Sequence, residues 1–193
     1  MRRHPKVPPS SLRVGTEAVA RCPTAEAPQA ITATRAVASG SMRAPIPRLW
    51  HMRPVGPKIG DIIPPGTSGD ELSIEGARSP IFFREYLTEA FRATETRSPV
   101  SRLSCTFCFE SREIAKCLAA DAGKACFEVV PVDQTGCASR HDSNWITWIG
   151  EPGRSVADVV RGIDNYWDEL PLNDRASIWE WLISCGLKII SEA

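Results

Sequence analysis

The residues with most chemical potential lie in the last thirty positions of the chain. Glu180 stands alone between Trp179 and Trp181, and Gly186 separates this short run from a β-branched strand. An isolated carboxylate between two indoles, just before a final strand, is an unusual place for a purely solvated charge. The pattern favours a functional carboxylate, and the alternative is an ordinary charge on a helix surface.

The cysteines form a second group with metal-ligand chemistry. Cys105 and Cys108 form a CxxC, which Cys137 and His141 would extend to a zinc set. Residues three apart on a strand point to opposite faces, however, and the glycines of a zinc knuckle are missing. We therefore interpret the thiols as small apolar groups. Because seven cysteines make an odd set, a reduced, cytoplasmic setting is the simpler prediction.

A polar segment near the middle of the chain holds hydrolase-type side chains. It contains Asp133, His141 and Asp142, with Ser139 and Ser143 nearby. No GxSxG nucleophile elbow accompanies them, so nothing in the sequence fixes their geometry. The segment is interpreted as a surface loop that borders a cleft.

Hydrophobic periodicity predicts the elements that must position these residues. The predicted strands lie at 48–52, 102–109, 125–132 near a sheet edge, 145–149 and 187–191. The predicted helices begin at Ser79, Ser111 and Ser155, with a short fourth helix at 175–184. The first helix is expected to bury a stripe made of Phe83, Tyr86, Leu87, Ala90 and Phe91. Strands and helices do not alternate regularly, which favours an α+β domain.

Composition divides the 193 residues into two parts. Residues 1–47 contain seven prolines, no aromatic residue and an excess of arginine, which predicts a disordered basic leader. An organelle transit peptide and a true start at Met42 or Met52 are the alternatives. Residues 48–193 form one predicted domain with an acidic balance, which disfavours non-specific nucleic-acid binding. No apolar run reaches the roughly 18 residues of a membrane span.

Several short runs together resemble an uncharacterised bacterial family of ADP-ribosyltransferase-like domains. The runs cover residues 48–193 and keep the family's order along the chain. They are 50–52, 59–66, Arg84 with Glu85, 98–109, 127–129, 166–167 and 180–182. The resemblance implies an α+β fold in which two small, mostly antiparallel sheets with flanking helices enclose an NAD cleft. It also implies a cytoplasmic enzyme that cleaves NAD and transfers ADP-ribose to an unknown acceptor, with bacterial toxins among its relatives.

The resemblance also implies a set of site residues. Glu180 matches the glutamate that precedes the last strand, His51 matches the first-strand position, and Arg102 and Ser104 fall in the middle motif. Cleavage of the nicotinamide–ribose bond creates an oxocarbenium-like centre, which an anion such as Glu180 would stabilise. His51 would bind the adenosine ribose, Arg102 the diphosphate, and Ser104 would complete the NAD site, with no metal expected.

The chain departs from that family's pattern at several points. It has no Ser-Thr-Ser triplet, Phe107 and Phe109 stand where a tyrosine is expected, and Ile178 replaces the first acid of Glu-x-Glu. These departures favour a second hypothesis, a non-catalytic domain of the same fold that binds a partner protein. A zinc-binding module is the third. In the plain structural interpretation, His51 is a half-buried histidine and Arg102 pairs with Glu110 or Glu128 on the sheet.

Overall fold

One antiparallel sheet organises the part of the chain that the structure describes. The computed structural model describes residues 46–66, 80–95, 98–133 and 138–193. The strands are β1 (Leu49–Arg53), β2 (Ile62–Ile63), β3 (Thr106–Phe109), β4 (Ala125–Pro131), β5 (Ala138–Asp142), β6 (Trp179–Ile183) and β7 (Leu187–Glu192). Their order across the sheet is β2-β7-β4-β1-β3-β6-β5.

Four helices accompany the sheet, and their starts follow the capping residues in the sequence. They are α1 (Pro80–Glu95), α2 (Arg112–Asp121), α3 (Asn144–Ile149) and α4 (Val156–Trp167). Ser111 caps α2 by accepting from the Ile114 amide, and Ser155 forms a capping box with Asp158 at the start of α4. Gly123, with φ of 64°, follows the end of α2, as a left-handed stop requires. The starts predicted at Ser111 and Ser155 are therefore confirmed.

A three-residue connection forces the sheet to curl. β6 and β7 lie four strand spacings apart in the sheet, about 19 Å if it were flat. Residues 184–186 join them, and four Cα steps from Ile183 to Leu187 reach at most about 14 Å. The sheet must therefore bend so that its concave face closes on itself. That face holds a fully buried apolar cluster of Leu49, Ile63, Cys108, Phe127, Val129, Ile183, Leu187 and Ile189.

The helices pack on the other face of the sheet. There α2 covers Phe109 and Cys126 through Ala115 and Ala119. The other helices enclose a larger cluster, which contains Val100, Cys105, Trp145, Ile146, Trp148, Ile149, Ile163, Tyr166, Trp167, Leu172 and Leu182. The two faces thus form separate apolar cores on either side of one sheet.

Two predicted elements have the wrong type. The run 145–149, predicted as a strand, is helix α3, and all its residues but Thr147 are buried. A short, continuous apolar run fits a buried helix as well as a strand. The segment predicted as helix 175–184 instead contains strand β6, which pairs with β3 on one side and β5 on the other. Cross-strand pairing on both sides outweighs the weak helical pattern of this segment.

Other boundaries and faces also differ from prediction. The strand predicted at 102–109 begins as a 3-10 turn, Arg102–Ser104, and is extended only from Thr106. β4 is central, between β1 and β7, and Pro131 is tolerated because it is the last residue of β4, beyond the stretch that pairs with β1. On α1, Phe83 and Tyr86 are exposed, whereas Leu87 and Phe91 pack on the core. The α+β class is confirmed, but the described residues form one seven-stranded sheet where two small sheets were expected.

Some sequence predictions concern residues outside the described ranges. The disorder predicted for 1–47 falls there except at residues 46 and 47, and so do Ser79 and Cys137. Among the described residues no helix is both long and apolar enough to cross a bilayer.

Close packing of α3 against α4 predicts a strict size limit at Gly162. An added methyl group would overlap the Ile149 Cγ2 methyl and lie 3.1 Å from the Trp148 ring. Gly162→Ala is expected to lower the free energy of unfolding by about 1–3 kcal/mol, because overpacking exceeds the helix-propensity gain of about 1 kcal/mol. Urea unfolding measures the change. Val156→Ala, at a site 82% exposed on the same helix, serves as control, and an equal effect of both would contradict the packing argument.

Candidate functional site

Alternation along β6 separates the glutamate from its two tryptophans. Glu180 pairs with Phe109 of β3 and with His141 of β5, and directly opposed residues share a face of the sheet. Glu180 therefore points to the helix-covered face, where it is 4% exposed. Trp179 and Trp181 point to the other face. The predicted carboxylate thus lies in the interior, and its flanking indoles do not surround it.

Arg102 is the centre of the polar network that Glu180 joins. Its Nη1 donates to Glu180 Oε1 and to Tyr166 Oη, and its Nε donates to Glu85 Oε2 at 2.7 Å. Its Nη2 donates to Glu85 Oε1 at 3.2 Å, so every guanidinium nitrogen has a side-chain partner. The Tyr166 hydroxyl also donates to Glu180 Oε1 at 2.8 Å. Arg102, at 5% exposure, therefore has no guanidinium nitrogen left without a partner that could bind a diphosphate.

Charge balance explains why this arginine tolerates burial. Burial disfavours the charged guanidinium, but the carboxylates of Glu180 and Glu85 outweigh that effect and raise the pKa of Arg102 above its usual value. Burial opposes ionisation of Glu85 as well, yet Arg102 holds the pKa of this carboxyl below its usual value. Burial raises the pKa of Tyr166, which stays a neutral donor. The network therefore joins the Arg102 guanidinium to two carboxylates, with the Tyr166 phenol hydrogen-bonded to one of them.

His141 forms the adjacent layer of the site. Its ring stacks on Tyr166 with centroids 4.4 Å apart, and its Nδ1 donates to the Tyr166 carbonyl at 2.8 Å. The side chain is 1% exposed, and Nε2 has no hydrogen-bond partner among the described residues. Burial lowers the pKa of His141 to about 4, so the imidazole is neutral near pH 7. The buried Nε2 is a spare acceptor beside the ion pair.

The structure does not bring His51 to this network. Trp50 pairs with Phe109 and shares the face of Glu180, so His51, the next residue of β1, points the opposite way. His51 Nδ1 bonds the Phe107 carbonyl at 2.7 Å, where β1 and β3 splay apart. Burial lowers the pKa of His51 to about 4. This environment agrees with the plain structural interpretation of His51, in which it is a half-buried histidine with a hydrogen-bond partner.

Ser104 and the two acids predicted as alternative partners of Arg102 lie outside the buried network. Ser104 ends the 3-10 turn and is exposed, two residues beyond Arg102. Glu110 and Glu128, offered as surface partners of Arg102, pair instead with Arg140 and Arg48. Of the four predicted site residues, the structure joins Glu180 and Arg102 only.

A second polar cluster lies on the opposite face, beside the same strand. Arg140 sits 3.6 Å above the Trp179 ring and binds Glu110 with both ends of its fork, at 2.5 and 3.1 Å. The Trp181 indole donates to Glu110 Oε1 at 2.8 Å. Both charged side chains are about one-third exposed, and both tryptophans are half-buried. We call these four residues the Trp–Arg surface.

One cleft in the described part of the chain is lined by residues that belong to neither cluster. It has a volume of about 390 Å³ and follows α4 into the next loop. Its lining consists of Trp145, Asn165, Leu170, Pro171, Leu172, Asn173 and Asp174. No residue predicted to bind NAD contributes to it.

The zinc alternative gains no support in the described part of the chain. No group of three or more His, Cys, Asp or Glu side chains lies together there in a way that could hold a metal ion. Cys105 and Cys108 pack in different apolar clusters, on opposite faces of the sheet. Among the described residues, Cys105, Cys108, Cys126 and Cys185 are reduced thiols.

Comparison of the chain with protein-family models found no match, and comparison with curated proteins found none either. The family resemblance therefore remains an expectation that the residues alone carry.

Sequence reasoning missed four residues that build the buried site. Glu85 and Tyr166 belong to two of the short runs that carry the family resemblance, but neither is among the predicted site residues. His141 and Asp142 were assigned to a surface loop, yet they lie on β5 and are 1% and 0% exposed. The Asp142 carboxylate accepts from three backbone amides, of Asn144, Leu172 and Ile178. No strand signal marks residues 138–142, because four of these five residues are polar and no apolar alternation is present.

Loss of the Glu180 charge is expected to be costly because it removes one of the two buried carboxylates that bind Arg102 and leaves Nη1 without its charged acceptor. Glu180→Gln is expected to reduce the free energy of unfolding by about 3–5 kcal/mol, the range for a broken buried ion pair. The matched control is Glu151→Gln, since the pair of Glu151 with Arg154 is about one-third exposed and is worth at most about 1 kcal/mol. Denaturant unfolding measures both. Equal losses would show that the Glu180 pair contributes no more than a surface contact.

Buried neutral histidines predict acid sensitivity in a defined window. An unfolded histidine has a pKa near 6.5, whereas the folded values of His51 and His141 are about 4. The unfolded state therefore binds more protons between these values, and stability is full above pH 6.5 and falls as the pH drops. As the pH falls from 6.5 to 4.5, each histidine is expected to lower the free energy of unfolding by about 2–3 kcal/mol. The measurement is denaturant unfolding at several pH values. His141→Gln should halve the slope of the free energy of unfolding against pH in this window, and an unchanged slope would contradict the neutral, buried state of His141.

Proposed function

We propose that the chain is a non-catalytic domain that binds a partner protein. One observation carries this proposal: Glu180, the residue matched to a catalytic glutamate, is closed off by Arg102 and Tyr166 inside the helix-covered face. An anion that stabilises a ribosyl cation must approach the sugar closely and must lack a competing cation. Glu180 at 4% exposure satisfies neither requirement.

The Trp–Arg surface supplies the binding side of the proposal. Tryptophan and arginine are enriched among the residues that dominate binding at protein interfaces. Here the Arg140 guanidinium is held by Glu110 and by the Trp179 ring, so little side-chain entropy remains to be lost when a partner binds. Strand β6 thus buries Glu180 on one face of the sheet and leaves Trp179 and Trp181 partly exposed to solvent on the other.

The second candidate function is the ADP-ribosyltransferase-like one, with NAD as substrate and an unidentified acceptor. A specific contact favours it. Arg102 and Glu180, predicted as site residues from segments 78 positions apart, lie in direct hydrogen-bond contact. A catalytic form would have to release Glu180 from Arg102 before a ribose could reach it.

NAD turnover decides between the two functions. Free nicotinamide would be measured after incubation of NAD with the full chain and with Glu180→Gln. The proposal expects no release above the protein-free rate for either protein, because the Glu180 carboxylate is bound by Arg102 and inaccessible. Release by the full chain above the protein-free rate would overturn the proposal, and its loss in Glu180→Gln, under conditions where circular dichroism shows that this variant is folded, would assign the cleavage to Glu180.

A further inference from the structure

The chain preceding the domain enters the sheet beside the Trp–Arg surface. Trp50 pairs with Phe109, so the antiparallel register continued by one residue sets Leu49 opposite Glu110. Glu110 in turn donates its amide to the Trp179 carbonyl at 3.3 Å. Residues 1–45 are joined to the domain at Ile46, which packs against the same apolar cluster as Trp181 of the Trp–Arg surface.

The composition of residues 1–45 suits an aromatic docking site. This segment contains six prolines, no aromatic residue, and seven Lys or Arg against two Glu. Proline-rich segments form polyproline II, which docks on aromatic surfaces at a small entropic cost. From residue 49 onward the chain carries 15 Lys or Arg and 21 Asp or Glu. The segment and the domain have complementary charge, which favours their association.

Geometry makes docking within one chain easy. Trp179 and Trp181, two residues apart on a strand, lie about 7 Å apart. About three residues of polyproline II cover that distance. Apart from Pro45, the proline of this segment nearest to Ile46 is Pro28, so residues 29–45 form the loop that must close, and the entropic cost of closure grows only with the logarithm of its length.

We propose that residues 1–45 dock on the Trp–Arg surface of their own domain, with prolines stacked on the indoles of Trp179 and Trp181. The inference rests on the proposed function, since it makes this segment the occupant that a partner protein displaces. The chemistry of the occupant is that of a basic, proline-containing, extended peptide.

Proteolysis of the full chain tests the docking. A protease specific for arginine would cleave at Arg35 and Arg43, and the rates would be compared with those of a synthetic peptide of residues 1–45. Protection of about tenfold is expected in the full chain, because cleavage follows the undocked population. Trp179→Ala is expected to abolish the protection. Trp50→Ala is the matched control, since Trp50 is also a half-buried strand indole beneath an arginine but lies on the other face.

Each alternative outcome overturns the inference. Cleavage of the full chain as fast as the free peptide excludes docking, and this comparison needs no variant to fold. Protection that survives Trp179→Ala excludes this surface. Protection that grows with protein concentration assigns the occupant to a second copy. None of these results affects the proposed function, which nicotinamide release would overturn by itself.

Discussion

Burial of the Arg102 charge is the constraint on which the packing of the domain depends. A guanidinium at 5% exposure persists in the interior only if counter-charges and hydrogen bonds surround it. The chain supplies Glu85 from α1, Tyr166 from α4 and Glu180 from β6. Two helices and the sheet thus meet at one side chain, and the position of each is tied to the others through fixed hydrogen-bond geometry.

β6 links this network to the curvature of the sheet. Its even positions place Glu180 and Leu182 under the helices, and its odd positions place Trp179, Trp181 and Ile183 on the concave face. The short connection that follows forces the sheet to curl, and the curl in turn encloses the apolar cluster around Ile183. One five-residue strand therefore contributes to both cores, which explains why its buried carboxylate, Glu180, needs a charged partner.

Local signals in the sequence were sufficient for about half of the architecture. Ser111 and Ser155 marked two helices correctly because a cap acts on its own first turn. The run 145–149 and β6 were assigned the wrong type, because helix or strand is decided there by neighbours distant in sequence. The site divides in the same way. Glu180 and Arg102 were singled out, but Glu85 and Tyr166 reach Arg102 across 17 and 64 residues, a pairing that no local pattern contains.

Magnitudes favour a scaffold over a catalyst at Glu180. Separating a buried carboxylate from its arginine costs about 3–5 kcal/mol, because both charges lose their partner in the interior. A single preorganised group in a catalytic site typically lowers a barrier by about 3–4 kcal/mol. The two energies are of the same size, so freeing Glu180 from Arg102 and Tyr166 would offset most of the stabilisation that the anion could give to a ribosyl cation. In the described conformation the carboxylate stabilises Arg102 and the fold around it, and the half-buried Trp–Arg surface lies on the opposite face of the same strand.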